Sequence, residues 1–329
     1  MSDVRLTERG ELALLKGIKK RFKGRAKDII AGIGDDCAVV VPGKEKLLLT
    51  TDMMVEGVHF DLSFTTYFQI GFKTISVNVS DIFAMGGCPR FVLLDIAAPE
   101  ATRENSLYSF FQGAEKAFRR YRITLVGGDL SASDALVVSA TLIGYAKKPV
   151  LRSGARPGDR IYVTGTLGDS ACGLELLKRI RRPVSLETGE EIRTPLGWST
   201  MKPLLRRHLL TEARNPVRVA SGATAMIDVS DGLLIDLFRL CEESGVGARI
   251  YMKKLPLSVQ MKKAASFLGR KADVLATSGG EDYELLFTAP PRRRVNTVCI
   301  GEITDSERVI VERDGSERSF SPEGYQHWH

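Results

Sequence analysis

The chain has 329 residues, 43% hydrophobic and 26% charged, which is ordinary for a folded protein and excludes disorder, a collagen-like repeat and a disulfide miniprotein. Lys and Arg number 47 against 40 Asp and Glu, a net charge of +7 that suggests an anionic partner without choosing among nucleic acid, membrane and phosphate-bearing ligands. At roughly 100–200 residues per domain, the length implies two domains.

Residues 11–23 pattern as a basic amphipathic helix with Leu12, Leu15 and Ile18 on one face. Lys46 to Thr51 reads as a buried strand ending at Asp52. Tyr67 to Met85 reads as a helix stopped by Gly86, Gly87 and Pro89. Phe91 to Ala97 is a strand, Asn105 to Arg120 a helix, Ile123 to Val126 a short strand, and Ala135 to Tyr145 a long one rich in β-branched residues. Ala146-Lys147-Lys148-Pro149 interrupts the pattern and opens a loop dense in Gly, Pro and Arg. It places a domain boundary near 147, giving domains 1–146 and 147–329. Beyond it, Ile161 to Thr164, Glu284 to Thr288 and Arg308 to Glu312 read as strands, and Asp169 to Arg179 and Gly232 to Ser244 as helices. The strands alternate like half-exposed antiparallel ones, so the expected class is α+β, with a mixed, mainly antiparallel sheet and helices in each domain.

The cysteines at 37, 88, 172, 241 and 299 are scattered and form no C-x-x-C pair, which fits a reduced, cytoplasmic chain. The opening MSDVRLTERG has no apolar core of a signal peptide, and apolar runs such as Phe91 to Leu94 are far too short to span a membrane. The basic runs around Lys19, Arg119, Arg181 and Arg292 lack the interleaved aromatics of single-strand binders, so they read as solvated surface and no nucleic-acid partner is expected. No P-loop, H-E-x-x-H or G-x-S-x-G motif is present.

What recurs is aspartate beside glycine or small polar residues at the ends of elements. Asp35-Asp36 follows Gly32-Ile33-Gly34, and Asp52 follows Thr50-Thr51. Asp81 lies three residues after Asn78, on one helical face. Asp129 follows Gly127-Gly128, Asp228 and Asp231 bracket Val229-Ser230, and Glu281-Asp282 follows Ser278-Gly279-Gly280. Each alone is explained by a turn or a helix cap. Together they suit a hard cation, Mg²⁺ above all, with glycines letting backbone N–H groups approach phosphate.

The stretches GIGDDCAVV (32–40), TTDMMVEGVHF (50–60), VNVSDIFAMGG (77–87), LVGGDLS (125–131), RSGARPGDRIYVTGTLGDSACGL (152–174), AMIDVSDGLLIDL (225–237) and SGGEDYELLF (278–287) together resemble the thiamine-monophosphate kinase family, of the aminoimidazole-ribonucleotide-synthetase-like superfamily. The resemblance implies that superfamily's two-domain α+β fold, a homodimer formed by the N-terminal halves, and ATP in a cleft between the halves. It implies ATP- and Mg²⁺-dependent phosphorylation of thiamine monophosphate to thiamine diphosphate. Asp36, Asp52, Asp81, Asp129, Asp228 and Asp231 match metal-binding carboxylates holding several Mg²⁺ ions, with Thr50 and Thr51 adding oxygens. Tyr121, Gly128, Asp129, Arg152 and Ser230 match ATP contacts; His59, Glu281 and Tyr325 match the thiamine-phosphate side, where Trp328 can stand in for Tyr325. The alternative is another ATP-dependent enzyme of the superfamily, of the aminoimidazole ribonucleotide synthetase or selenophosphate synthetase type.

Overall fold

The computed structural model describes residues 17–18, 20–22, 29–31, 39–40, 43–189, 191–293 and 295–327. The chain divides into two units. One is drawn from Met1–Ile82, Gly87–Lys148 and Arg182–Val184, the other from Phe83–Gly86, Pro149–Arg181 and Ser185–His329.

In the first unit, β1 (Ile29–Ala31) and β2 (Val39–Val40) form a small antiparallel ladder. A five-stranded sheet follows, in the order β3 (Lys46–Val55), β7 (Val137–Ala146), β4 (Cys88–Ala98), β5 (Thr124–Gly127), with β6 (Leu130–Ala132) also on β4. β3 and β4 run antiparallel to β7, whereas β5 and β6 run parallel to β4. Every second residue of β7 is buried, Val138, Ala140 and Leu142 among them, as a sheet covered on one face requires. The cover is α1 (Tyr67–Ala84), whose Thr74 hydroxyl reaches the Met54 sulfur on β3 at 3.3 Å.

The other face of β3 carries Leu47, Leu49 and Met53, all exposed. The sequence reading of β3 as a buried strand ending at Asp52 is therefore corrected on two points. It is an edge strand, so a run of three leucines straddles a covered and an open face. It also continues through Met53, Met54 and Val55.

α1 packs on α2 (Glu104–Tyr121) through a reciprocal glycine contact. A Cβ on Gly71 would stand 2.0 Å from the Phe110 carbonyl oxygen, and one on Gly113 would stand 1.8 Å from that of Phe68. Phe72, Ile75, Phe110 and Phe111 fill the space beside this crossing.

The second unit is built on a seven-stranded sheet. Its order is β14 (Glu317–Ser319), β13 (Arg308–Val311), β10 (Gly247–Tyr251), β12 (Val298–Thr304), β8 (Arg160–Val163), β11 (Leu285–Ala289), β9 (Ala225–Asp228). Its pairings are antiparallel except β10 with β13. Among the described residues, five α-helices accompany it: α3 (Asp169–Ile180), α4 (Trp198–Leu209), α5 (Leu233–Ser244), α6 (Val259–Leu268) and α7 (Ala272–Ser278). Tyr162 stacks on Phe287 at 5.3 Å inside a core that includes Val150, Val219, Met226 and Leu285. The architecture is α+β with mixed, mainly antiparallel sheets, as the strand patterns indicate. α4, α6, α7 and the strands β9, β10, β12 and β14 have no counterpart among the elements read from sequence.

The glycine crossing yields a stability prediction. Gly113→Ala gains about 1 kcal/mol of helix propensity but drives a methyl group into a helix carbonyl that cannot swing aside. Overpacking typically costs about 1–3 kcal/mol, with the upper end expected against main chain, so the net loss should be about 2 kcal/mol. A urea midpoint equal to wild type would contradict the contact.

Candidate active site

In the first unit the site residues lie on the covered face of β3 and at the break between β5 and β6. Alternation along β3 puts Thr50 and Asp52 on the side of α1. There the Thr50 hydroxyl donates to Asp81 Oδ2 at 2.5 Å, and the Asp52 N–H donates to Asn78 Oδ1 at 3.1 Å. Asn78 and Asp81 are one helical turn apart on α1, the shared face inferred from spacing. Thr51 has the opposite parity: its hydroxyl accepts from that of Thr141, 3.1 Å away, on the open face. Of the three consecutive residues, the structure brings Thr50 and Asp52 together and leaves the Thr51 side chain apart.

Gly128 and Asp129 occupy the step where pairing with β4 passes from β5 to β6. Gly128 has φ +149, and a Cβ there would stand 1.9 Å from the Leu94 carbonyl oxygen, so no other residue fits. The Asp129 carbonyl accepts from Ile96 N–H at 2.9 Å, and its side chain is exposed. His59 follows a turn after β3, and its Nδ1 accepts from the Val55 N–H at 3.0 Å. In the neutral ring, Nε2 then carries the proton. The Tyr121 hydroxyl lies 3.2 Å from Ser76 Oγ. Asp36 lies outside the described residues.

In the second unit, two loops are stitched together by main-chain bonds. Glu281 N–H donates to the Ser230 carbonyl at 2.6 Å, Tyr283 N–H to that of Val229 at 2.8 Å, and Tyr325 N–H to that of Asp231 at 3.0 Å. Glu281 and Tyr283 have φ of +65° and +48°, a left-handed backbone that non-glycine residues adopt at a cost of about 1–3 kcal/mol. These bonds, and the side chain between them, hold it. Asp282 is fully buried and accepts from Gly168 N–H at 2.5 Å and Ser170 N–H at 3.2 Å, at the start of α3. Burial, opposed by Arg207 and those N–H groups, pushes its carboxyl up to about 7.

Asp236 plays the same part for the other loop. Its Oδ2 accepts from the N–H groups of Ser230, Asp231 and Gly232 at 3.0, 3.0 and 3.1 Å. Burial, then the neighbouring Asp231 charge, raises it to about 6. Arg239 bridges Asp236 Oδ1 at 2.8 Å and Asp231 Oδ2 at 2.6 Å. Asp228, at the end of β9 opposite Leu285, is buried. Glu281 Oε2 is 2.9 Å from His208 Nδ1. Arg152 is exposed, its carbonyl accepting from the Ser244 hydroxyl. Tyr325 is exposed, its hydroxyl 3.3 Å from His327 Nδ1; Trp328 lies outside the described residues.

Sequence reasoning passed over Asp236, Arg239, His208 and Glu284, and named Asp282 only as part of the Glu281-Asp282 turn. Only Asp236 had a local signal, a carboxylate in the first turn of a helix after a glycine-ended loop. Among the described residues, no three Asp, Glu, His or Cys side chains gather as a metal-holding cluster. Mg²⁺ needs no such cage, since it is commonly held by one or two carboxylates, waters and substrate phosphates. The all-oxygen set of Thr50, Asp52, Asp81 and Asp129 has the donor chemistry it prefers.

Residues 34–146 match the family model described as AIR synthase related protein, N-terminal domain, and residues 156–314 match its C-terminal domain counterpart. Fold and loops thus define a two-domain protein of the AIR-synthase-related class. A thiamine-monophosphate kinase of Aquifex aeolicus (strain VF5) is 38% identical over 333 residues, 99% of this chain and 100% of the relative. A solved structure described as AaThiL complexed with AMPPCP and TMP aligns over 100% of both chains with 37% identity and a TM-score of 0.76. The thiamine-monophosphate kinase from Stenotrophomonas maltophilia K279a aligns over 93% of this chain and 97% of its own, with 35% identity and a TM-score of 0.79. The chain belongs to the thiamine-monophosphate kinase family.

The buried Asp282 generates a pH prediction. Unfolded, an aspartate releases its proton near pH 4, whereas folded Asp282 keeps it to about 7. Its contribution to stability is therefore fully present below about pH 4 and is lost as pH rises through about 7. The urea midpoint of wild type relative to Asp282→Asn should be more favourable at pH 5 than at pH 8. An equal difference at both would contradict the raised carboxyl.

Proposed function

We propose that the chain transfers the γ-phosphoryl group of ATP in line to the phosphate of thiamine monophosphate, releasing ADP and thiamine diphosphate. The observation that carries the activity is 38% identity with a thiamine-monophosphate kinase over nearly the full length, joined to a full-length structural match described as AaThiL complexed with AMPPCP and TMP. The relatives described above give no support to the synthetase alternative.

The acceptor phosphate is anionic at neutral pH, so no strong general base is required, and catalysis rests on positioning and charge neutralisation. We assign Asp52, Asp81 and Asp129, with Thr50, as oxygen ligands of Mg²⁺, and separately assign Asp36, Asp228 and Asp231 as Mg²⁺ ligands. The Thr51 hydroxyl is dropped from that assignment because it faces the other side of the sheet. Bound Mg²⁺ would neutralise phosphate charge and fix the triphosphate geometry. Gly128 admits phosphate close to the main chain, and Arg152 offers a guanidinium that binds phosphate in bidentate fashion. Ser230 presents its side chain ahead of α5, and Tyr121 is assigned to the adenine side. His59 offers an Nε2–H donor, Glu281 a carboxylate for the cationic thiamine portion, and Tyr325 a ring beside it.

Two further readings accompany this one. A homodimer through the first unit is supported by the open face of β3, where Leu47, Leu49 and Met53 expose a row of apolar side chains on an edge strand. A cytoplasmic location fits the free thiols of Cys88, Cys172, Cys241 and Cys299. No helix among the described residues is long and apolar enough to cross a membrane.

The direct test is chromatographic detection of thiamine diphosphate formed from thiamine monophosphate, ATP and Mg²⁺. Asp52→Asn and Asp129→Asn should each lower kcat at least about a hundredfold, the effect of losing several kcal/mol of charge stabilisation, while leaving the melting temperature near wild type. Near-normal kcat in either variant would sink the metal assignment. For the dimer, Leu49→Lys combined with Met53→Lys should halve the mass seen by analytical ultracentrifugation. A wild-type protein already sedimenting as a monomer would overturn that reading.

A further inference from the structure

We propose that His208 is a positioning residue for Glu281, holding its carboxylate where it meets the cationic part of thiamine monophosphate. The inference rests on the reading of Glu281 as a substrate contact.

His208 lies on α4 and is 4% exposed, yet its Nδ1 faces a charged group, Glu281 Oε2 at 2.9 Å, on a side chain that is 27% exposed. The approach is an ion-pair distance between the ring and the carboxylate, and the hydrogen bond of Nδ1 is with a hydroxyl. The same nitrogen is 3.2 Å from Ser170 Oγ. Ser170 is itself anchored, its N–H donating to Asp282 Oδ1 at 3.2 Å. Asp282 is the residue after Glu281, so the contacts close a ring: Asp282 to Ser170, Ser170 to His208, His208 to Glu281.

The ring does one thing that ordinary core packing would not. The main chain of Glu281 is already fixed, left-handed and bonded to the Ser230 carbonyl. The side chain of a glutamate is long, and immobilising such a chain on binding costs about 0.5–1.5 kcal/mol. A buried imidazole gripping one carboxylate oxygen removes that freedom before substrate arrives. α4 has no counterpart among the elements read from sequence, and here it supplies the imidazole that meets the loop.

The test uses the full chain with His208→Ala, His208→Asn, Glu281→Ala and the double variant His208→Ala with Glu281→Ala, each assayed for thiamine diphosphate formation. His208→Ala should raise KM for thiamine monophosphate about five- to tenfold, the cost of ordering one glutamate side chain, while KM for ATP stays within twofold. His208→Asn, which keeps a polar group at the place of Nδ1, should restore most of the loss. The double variant should match Glu281→Ala alone. If His208→Ala fails to fold, the Asn variant and the double-variant comparison with His208→Asn carry the test. Equal changes in both KM values, or no change in His208→Ala where Glu281→Ala raises KM for thiamine monophosphate, would overturn the positioning role. No change in Glu281→Ala would instead overturn the reading of Glu281 and the proposal with it.

Discussion

Carboxylates without access to water set the geometry of the second unit. Asp236, Asp282 and Glu284 are each fully buried, and removing a carboxylate from water costs several kcal/mol unless partners replace the solvent. The partners differ, and so does the outcome. Asp236 and Asp282 receive backbone N–H groups with limited help from arginine, and burial wins, raising both. Glu284 meets the guanidinium groups of Arg207 and Arg214 and the Thr164 hydroxyl, and these overcome burial and hold it below the usual carboxylate range. Formal charges outweigh dipoles in a dry interior, because their attraction falls off more slowly and is poorly screened.

These buried groups explain how exposed residues become ordered. Ser230, Asp231 and Glu281 stand on loops with little apolar anchoring of their own, so their main chains are held from behind. Asp236 gathers the N–H groups of the first loop, Asp282 ties the second to α3, and three carbonyl bonds join the loops and Tyr325. Orientation of the reacting groups is what such an enzyme must supply, and here it is bought with buried carboxylates rather than with a large apolar core. In the first unit a different device does the same work: strand alternation delivers Thr50 and Asp52 to Asp81 and Asn78, and a steric need for glycine fixes the turn before Asp129.

Much of this was legible in the sequence, for reasons that also mark where legibility ends. Periodicity over eighteen residues located α1 within one residue at its C-terminal end, and the Asn78–Asp81 spacing placed both on the face that meets β3. Three leucines in a row were misread because composition cannot tell an edge strand from a central one. α4 escaped because Pro203 sits inside it, a residue that normally ends a helix. The strands β9, β10 and β12 also went unread, and length alone does not explain it, since β12 is longer than β8 and β11, which were read. The pairs that hold the site are distant in the chain: Gly168 with Asp282, Thr164 with Glu284, Ser170 with His208. Nothing local announces a partner more than thirty residues away.

The net charge of +7 shows the same limit from another side. Charge counts weigh every residue equally, but an ion matters to structure in proportion to how much water it has lost. The runs at Arg119 and Arg120, Arg181 and Arg182, and Arg292 and Arg293 are exposed, where solvent and salt reduce their pull to little. Arg207 is largely withdrawn from solvent against Glu284, and Arg239 is partly buried between Asp231 and Asp236. Those two arginines are counter-ions of the site's own acids and add nothing to the surface excess. The positive total therefore describes the solvated exterior, while the partners of the desolvated carboxylates decide whether these keep a proton or hold a loop.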